Sequence, residues 1–138
     1  MHIEPLFCKA TFALKKVLVV SLGGIVGSLA RWALSLGIPD HGFPWATLLV
    51  NYIGSVLLAI LLIVIKSHKS PRWWWRPALG AGFCGGFTTY SAFAVKMDQY
   101  FNDGKINSAI AYALSSLVGT YLLIFAVNEI YRTKLVKK

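Results

Sequence analysis

Hydrophobic residues along the chain are gathered into four long runs, at residues 14–36, 46–65, 77–100 and 106–129. A helix needs about 20 mainly apolar residues to cross the hydrocarbon core of a bilayer. Each run meets that length, and together they occupy nearly the whole chain. We therefore predict an all-α integral membrane protein whose single transmembrane domain, residues 14–131, contains four membrane-spanning helices.

The third run does not suit a continuous helix at its centre. Between Gly80 and Phe93 it contains four glycines followed by Thr88 and Thr89. Each interior glycine costs about 1 kcal/mol relative to alanine. A carbonyl freed in hydrocarbon must find another partner, so a break there is typical of a polar or ion-binding site. The alternative is a small-residue packing face, but the paired threonines favour a broken helix that binds an ion.

The composition supports a membrane protein and excludes several functions. Apolar residues make up 57% of the chain, against roughly 45–50% in soluble domains. The net charge of +9 comes from basic residues at helix ends, where they orient helices and do not indicate nucleic-acid binding. No nucleophile–base pair, phosphate-binding loop or zinc-ligand spacing is present, so we do not predict an enzyme.

The acidic residues lie in loops or near helix ends: Glu4, Asp40, Asp98, Asp103 and Glu129. A proton-coupled transporter normally has a carboxylate or histidine at membrane depth. Because none of these carboxylates lies in the middle of a run, the pattern argues against a pump and favours passive passage of a small ion.

The polar residues inside the runs are mainly neutral hydrogen-bond donors. Asn51 in the second run either forms an interhelical hydrogen bond, worth about 1 kcal/mol or less, or acts as a hydrogen-bond donor in a pore. In the fourth run Ser108, Tyr112, Ser116 and Thr120 recur every four residues and share one helix face. Packing could explain this stripe, but the large tyrosine favours a polar track. Such donors suit a small anion, as do the positive edges of aromatic rings.

The first run has a small-residue face and one charge. Gly23, Gly24 and Gly27 permit close approach of another helix backbone. Arg31 lies near the end of this run, where it either needs a partner or extends to the membrane interface.

Together these segments resemble the CrcB/Fluc family of bacterial fluoride channels over nearly the whole chain. The matching motifs are Gly23-Gly24-x-x-Gly27-x-x-x-Arg31, Thr47-Leu48-x-Val50-Asn51-x-x-Gly54-Ser55, Gly82-x-Cys84-Gly85-Gly86-x-Thr88-Thr89-Tyr90-Ser91-x-Phe93 and Tyr112-x-x-x-Ser116-x-x-Gly119. The resemblance implies a fluoride-specific ion channel in the bacterial plasma (inner) membrane, which exports cytoplasmic fluoride passively and so lowers its toxicity.

The resemblance also implies an architecture and a cofactor. Two four-helix subunits would pack antiparallel, in the dual-topology manner, and enclose two fluoride pores. A structural Na+ at the dimer interface, required but not transported, would be held by the backbone carbonyls of Gly85 and Thr88.

The pore residues follow from the same resemblance. It places the pore aromatics at Tyr90 and Phe93, the pore amide at Asn51 and the polar track at Tyr112, Ser116 and Thr120; we add Thr89 to the lining and assign Arg31 a structural or charge role. The chain departs from the usual family pattern at Tyr90, which replaces a phenylalanine and brings a hydroxyl to the pore.

Two other functions compete with a fluoride channel. A small multidrug transporter is also a short four-helix protein, but it needs a membrane carboxylate that this chain lacks. A non-transporting membrane assembly subunit would leave the polar track of the fourth run without a purpose.

The basic residues favour one side of the membrane. With four spans, both termini and the loop 66–76 lie on the same side, which carries eleven Lys and Arg residues; the other side carries Lys96 and Lys105. The more basic side stays in the cytoplasm. We therefore predict a cytoplasmic N-terminal tail, residues 1–13, and a basic cytoplasmic C-terminal tail, residues 132–138.

This charge bias has a consequence for assembly. A chain that inserts in one orientation cannot form an antiparallel dimer with itself in a cell. The hypothesis that follows is a heterodimer with a paralogue of opposite charge bias. A homodimer formed through slow or mixed insertion is the competing hypothesis.

Overall fold

A computed structural model of the protein describes residues 4–38, 42–68 and 71–136, with side chains described within residues 11–133. The elements in chain order are α1 (Glu4–Leu36), α2 (Trp45–Ser67), the π-helical segment π1 (Trp75–Cys84), α3 (Gly85–Phe87), α4 (Ser91–Asn102), α5 (Ile106–Leu114), the π-helical segment π2 (Ser115–Gly119) and α6 (Thr120–Val136). No β-strand occurs in these ranges, so the predicted all-α class is confirmed. The outermost residues of the predicted tails, 1–3 and 137–138, lie outside the described residues.

Three helices in the described part of the chain are long and apolar enough to cross a membrane: Thr11–Leu36, Trp45–Ser67 and Ile106–Thr133. The third predicted span, residues 77–100, is not a single helix of that length, because residues 88–90 separate α3 from α4. Apolar side chains cover much of the outside of the bundle, as expected where lipid or another subunit replaces water. The chain is therefore a multi-pass membrane protein.

The first helix begins earlier than the sequence pattern predicts. α1 starts at Glu4 and not near Leu14, so much of the predicted tail of residues 1–13 is helical. The physical reason is that no helix breaker separates these residues from the apolar run. Pro5 falls in the first turn, where proline is tolerated because the amide groups there have no helical partner.

Glycines bring α1 against π1 and α3 at backbone distance. A Cβ atom at Gly23 would overlap the carbonyl oxygen of Ala78, and one at Gly27 would overlap that of Phe83. Only glycine permits this approach, so the predicted small-residue face of α1 is confirmed. The packing holds the glycine-rich third run along the whole middle of α1.

A buried cluster joins α2, α4 and α5 at the other end of the third run. Its members are Leu48, Tyr100, Ala109 and Tyr112. The hydroxyl of Tyr100 donates to Gly42 O at 2.7 Å, which fixes the loop before α2 to α4. The cluster positions α4, and with it the aromatic residues that follow the interruption at residues 88–90.

Candidate functional site

The helical path stops between α3 and α4, where α2 supplies a substitute partner for the backbone. Thr88 is extended, with φ −76° and ψ 159°. The side-chain amide of Asn51 bonds both backbone groups of Thr89: Nδ2 donates to Thr89 O at 3.0 Å, and Thr89 N–H donates to Oδ1 at 2.8 Å. One side chain thus satisfies a backbone donor and acceptor that a continuous helix would pair internally.

This arrangement changes the partners of two carbonyls. In an α-helix a carbonyl accepts the N–H of the residue four positions later. For Gly85 that N–H belongs to Thr89 and is bonded to Asn51 Oδ1. For Thr88 it belongs to Ala92 and is bonded to Thr89 Oγ1 at 3.2 Å. Both carbonyls have therefore lost their α-helical partner to a side chain.

A groove of about 370 Å³ lies beside the interruption. Seven of the ten predicted site residues line it: Asn51, Gly85, Thr88, Thr89, Tyr90, Phe93 and Ser116. Gly85 and Tyr90 are exposed on the outside of the single chain, Tyr90 at 80%, whereas Thr89 is buried at 8% and the other four residues are half-buried. The groove therefore lies on a surface that a second subunit could cover.

Polar and aromatic groups are available on the walls of the groove. The Oγ atom of Ser116 is buried and has no hydrogen-bond partner among the described residues, so its proton is free to be donated. The ring centroids of Tyr90 and Phe93 lie 5.8 Å apart, and those of Phe93 and Tyr112 lie 5.0 Å apart. The three rings form a row that leads from the exposed face into the core.

Three predicted site residues lie away from the groove. Tyr112 is fully buried behind Phe93, at 0% exposure. Thr120 lies one turn beyond Ser116, where α6 begins, and is not among the groove residues. Arg31 lines a second cavity of about 260 Å³, which shares only Thr89 with the first.

Two residues at the site were not assigned from the sequence. Gly54 lines the groove, and a Cβ atom there would overlap the methyl group of Thr88, so its absence allows α2 to approach the interruption. The hydroxyl of Tyr52 donates to Ser115 O at 2.5 Å, inside π2. Gly54 follows Asn51 at helical spacing and could have been found from that signal. For Tyr52 no signal in the sequence points to a backbone carbonyl as its partner.

Comparison with known proteins gives a consistent result. Residues 18–127 match the family described as CrcB-like protein, Camphor Resistance (CrcB). The chain is 38% identical over 112 residues to the fluoride-specific ion channel FluC of Bordetella bronchiseptica, covering 80% of this chain and 86% of the relative. It is 40% identical over 108 residues to FluC of Bordetella avium, covering 77% and 84%. It is 36% identical over 122 residues to FluC 1 of Streptomyces coelicolor, covering 84% and 79%.

Proposed function

The chain belongs to the CrcB family, and we propose that it is a fluoride-specific ion channel that lets cytoplasmic fluoride leave the cell passively. Its relatives are named as fluoride channels, so the prediction that it is not an enzyme is confirmed. The observation that carries the proposal for this chain is the groove, which gathers hydrogen-bond donors and aromatic rings beside an interrupted membrane segment.

The chemistry of the groove suits a small anion. Removing water from fluoride is very costly, so donors must replace its hydration shell along the path. The amide nitrogen of Asn51 has two hydrogens; one bonds Thr89 O, and the other is left for an anion. Ser116 offers an unused hydroxyl proton. Tyr90 and Phe93 supply ring edges, which carry partial positive charge.

The remaining pore residues extend the same helix face. Tyr112 precedes Ser116 by one turn and Thr120 follows it by one turn, so both continue the line of polar groups beyond the groove. Thr89 contributes its hydroxyl near Asn51, where it also bonds Ser91 Oγ at 3.1 Å. We assign these residues to the fluoride path and keep Arg31 as a structural charge in the neighbouring cavity.

A sodium ion fits the two freed carbonyls. Carbonyls released from unwound membrane helices are typical ligands of Na+, and those of Gly85 and Thr88 have both lost their α-helical partner. The ion would supply a fixed positive charge and would satisfy carbonyl dipoles that hydrocarbon cannot. It is a structural cofactor in this proposal and is not transported.

The site also favours a dimer. Hard cations take about six or more oxygen ligands, so two carbonyls of one chain leave the coordination shell incomplete. Gly85 and Tyr90 are both exposed in the single chain. A second subunit, packed in the inverted orientation, would cover them and complete the site.

Fluoride efflux from proteoliposomes tests the function. Vesicles loaded with potassium fluoride should release fluoride faster than protein-free vesicles after valinomycin addition, and vesicles loaded with chloride should not release chloride. Efflux equal to that of protein-free vesicles, with any required partner subunit present, would contradict a channel. The same vesicles made without Na+ test the cofactor, because unchanged efflux and dimer stability would contradict a structural ion.

Orientation has its own test. We propose that both termini lie in the cytoplasm, since the basic residues favour that side, and that the inverted subunit is a paralogue. A single cysteine in the C-terminal tail should be labelled only from the cytoplasmic side. Equal labelling from both sides would contradict a fixed orientation. Robust fluoride resistance from this chain alone, in a host without another copy, would favour a homodimer.

A further inference from the structure

At the proposed cation site, two backbone N–H groups are bonded to side-chain oxygens and not to helical carbonyls. A regular α-helix through residues 85–92 would pair the Gly85 carbonyl with Thr89 N–H and the Thr88 carbonyl with Ala92 N–H. Both amides are instead bonded to side-chain oxygens, the first to Asn51 Oδ1 at 2.8 Å and the second to Thr89 Oγ1 at 3.2 Å. The two ligands proposed for sodium are the two carbonyls left over by these exchanges.

We propose that Asn51 and Thr89 are positioning residues for the cation: their side-chain oxygens take the amide protons that would otherwise bond Gly85 O and Thr88 O. This inference rests on the proposed sodium site at these carbonyls. It gives Asn51 a second role besides that of a donor to fluoride. The two roles use different atoms, since Oδ1 accepts from the backbone while Nδ2 is the donor.

The surroundings support this role. Thr88 N–H and Thr88 Oγ1 both bond Cys84 O, each at 2.9 Å, so α3 ends on its own internal bonds and needs no help from α2. Gly54 leaves room for the Thr88 methyl group and so brings α2 within reach of Thr89. Thr89 is nearly buried, which protects both exchanged bonds from competing groups.

Substitutions can test the two exchanged hydrogen bonds one at a time. Asn51→Leu removes the oxygen that accepts Thr89 N–H, together with the amide donor to Thr89 O. Thr89→Val removes the oxygen that accepts Ala92 N–H at nearly constant volume, and Thr89→Ser retains it. The inference predicts that Asn51→Leu and Thr89→Val weaken sodium binding, and that Thr89→Ser preserves it.

Sodium binding can be measured without fluoride flux. The purified full-length dimer is unfolded thermally over a series of NaCl concentrations, with N-methyl-D-glucamine chloride holding the ionic strength constant, and the concentration giving half of the stabilisation is recorded. Asn51→Leu and Thr89→Val should raise that concentration by at least about tenfold, the usual effect of losing a residue that orients a metal ligand. Thr89→Ser should match the unsubstituted protein.

Tyr52→Phe is the matched control. It removes the neighbouring interhelical bond from α2, to Ser115 O, and should lower the unfolding temperature without moving the sodium midpoint. Equal midpoints for Thr89→Val and Thr89→Ser would overturn the inference while leaving the sodium site intact, and this pair decides the question if Asn51→Leu does not assemble. Absence of any sodium-specific stabilisation of the unsubstituted protein would overturn the proposed sodium site itself, and the inference with it.

Discussion

Two helical runs in this protein depart from α-geometry, and consecutive residues of α2 contact them both. Asn51 bonds the interruption between α3 and α4, while Tyr52 bonds π2, between α5 and α6. The first contact lies at a point where the helix stops for three residues. The second lies in a bulge through which the helix continues.

The two contacts differ in how many backbone groups the side chain hydrogen-bonds. The amide of Asn51 pairs with both the N–H and the C=O of Thr89. The hydroxyl of Tyr52 donates to one carbonyl, that of Ser115, and leaves the amide groups of that run to the helix. The amide of Asn51 therefore replaces both helical partners of the Thr89 backbone, whereas the hydroxyl of Tyr52 bonds one carbonyl of a run that stays helical.

The local sequence decides how easily each run loses its helical hydrogen bonds. The run before the interruption contains Gly80, Gly82, Gly85 and Gly86, whereas π2 contains only Gly119. Each glycine lowers the stability of the helix by about 1 kcal/mol relative to alanine. The helical hydrogen bonds of the first run are therefore easily replaced by bonds to the Asn51 amide. Both regions face the groove through Thr89 and Ser116, and the comparison therefore bears directly on conduction.

Replacement of Asn51 should have the largest effect. Asn51→Leu removes both bonds to Thr89, which should cost about 1–3 kcal/mol because buried backbone groups lose their partners. We expect loss of fluoride flux, with the assembled dimer retained. Flux and dimer fraction are measured on the same preparation. Normal flux would show that Asn51 only forms an interhelical hydrogen bond and does not line the pore.

The aromatic residue after the interruption should come next. Phe93→Ile keeps bulk but removes the ring that contacts Tyr90 and Tyr112. We expect fluoride flux per folded dimer to fall at least about tenfold, equivalent to about 1.4 kcal/mol. If Phe93 only packs the core, the unfolding temperature will change and flux per dimer will not.

The bulge can be tested through its glycine. A Cβ atom at Gly119 would overlap the Tyr52 ring and hydroxyl, so Gly119→Ala should displace Tyr52 from Ser115 and destabilise the protein by about 1–3 kcal/mol. Gly24→Ala is the matched control, because its Cβ would meet only Gly82 O, at 3.9 Å. The difference in thermal stability between the two variants measures the cost of the overlap with Tyr52. Equal stability would show that the Tyr52 side chain moves aside at no cost.

The smallest effect should come from one hydroxyl in the bulge. Ser116→Ala removes a buried hydroxyl without a described partner, so stability should change by less than about 0.6 kcal/mol while fluoride flux falls. Ser115→Ala, on the next residue, is the control and should leave both unchanged, since the bond from Tyr52 reaches its backbone. Equal fluoride flux in the two variants would show that Ser116 does not line the fluoride path.

Much of this arrangement could be predicted from local patterns. The long apolar runs and the glycine face of α1 depend on composition and helical spacing, and these survive folding unchanged. The grouping of Asn51 with Ser116 was predicted through the resemblance to a known family, and Thr89 was our own addition to it. The start of α1 was placed too late, because a helix can extend through residues that carry no strong helix-breaking signal.

The sequence by itself determined the membrane class, the family and the weakness of the third run, because glycine content, length and hydropathy act locally. Only the tertiary structure decided that this weak run is interrupted at residues 88–90, where Asn51 bonds its backbone. The partner of Asn51 is 38 residues away, and Arg31, although part of the same chain pattern, lines a cavity separate from the groove. The Gly85 carbonyl loses its partner to a side chain of another helix, and no single helix contains that information.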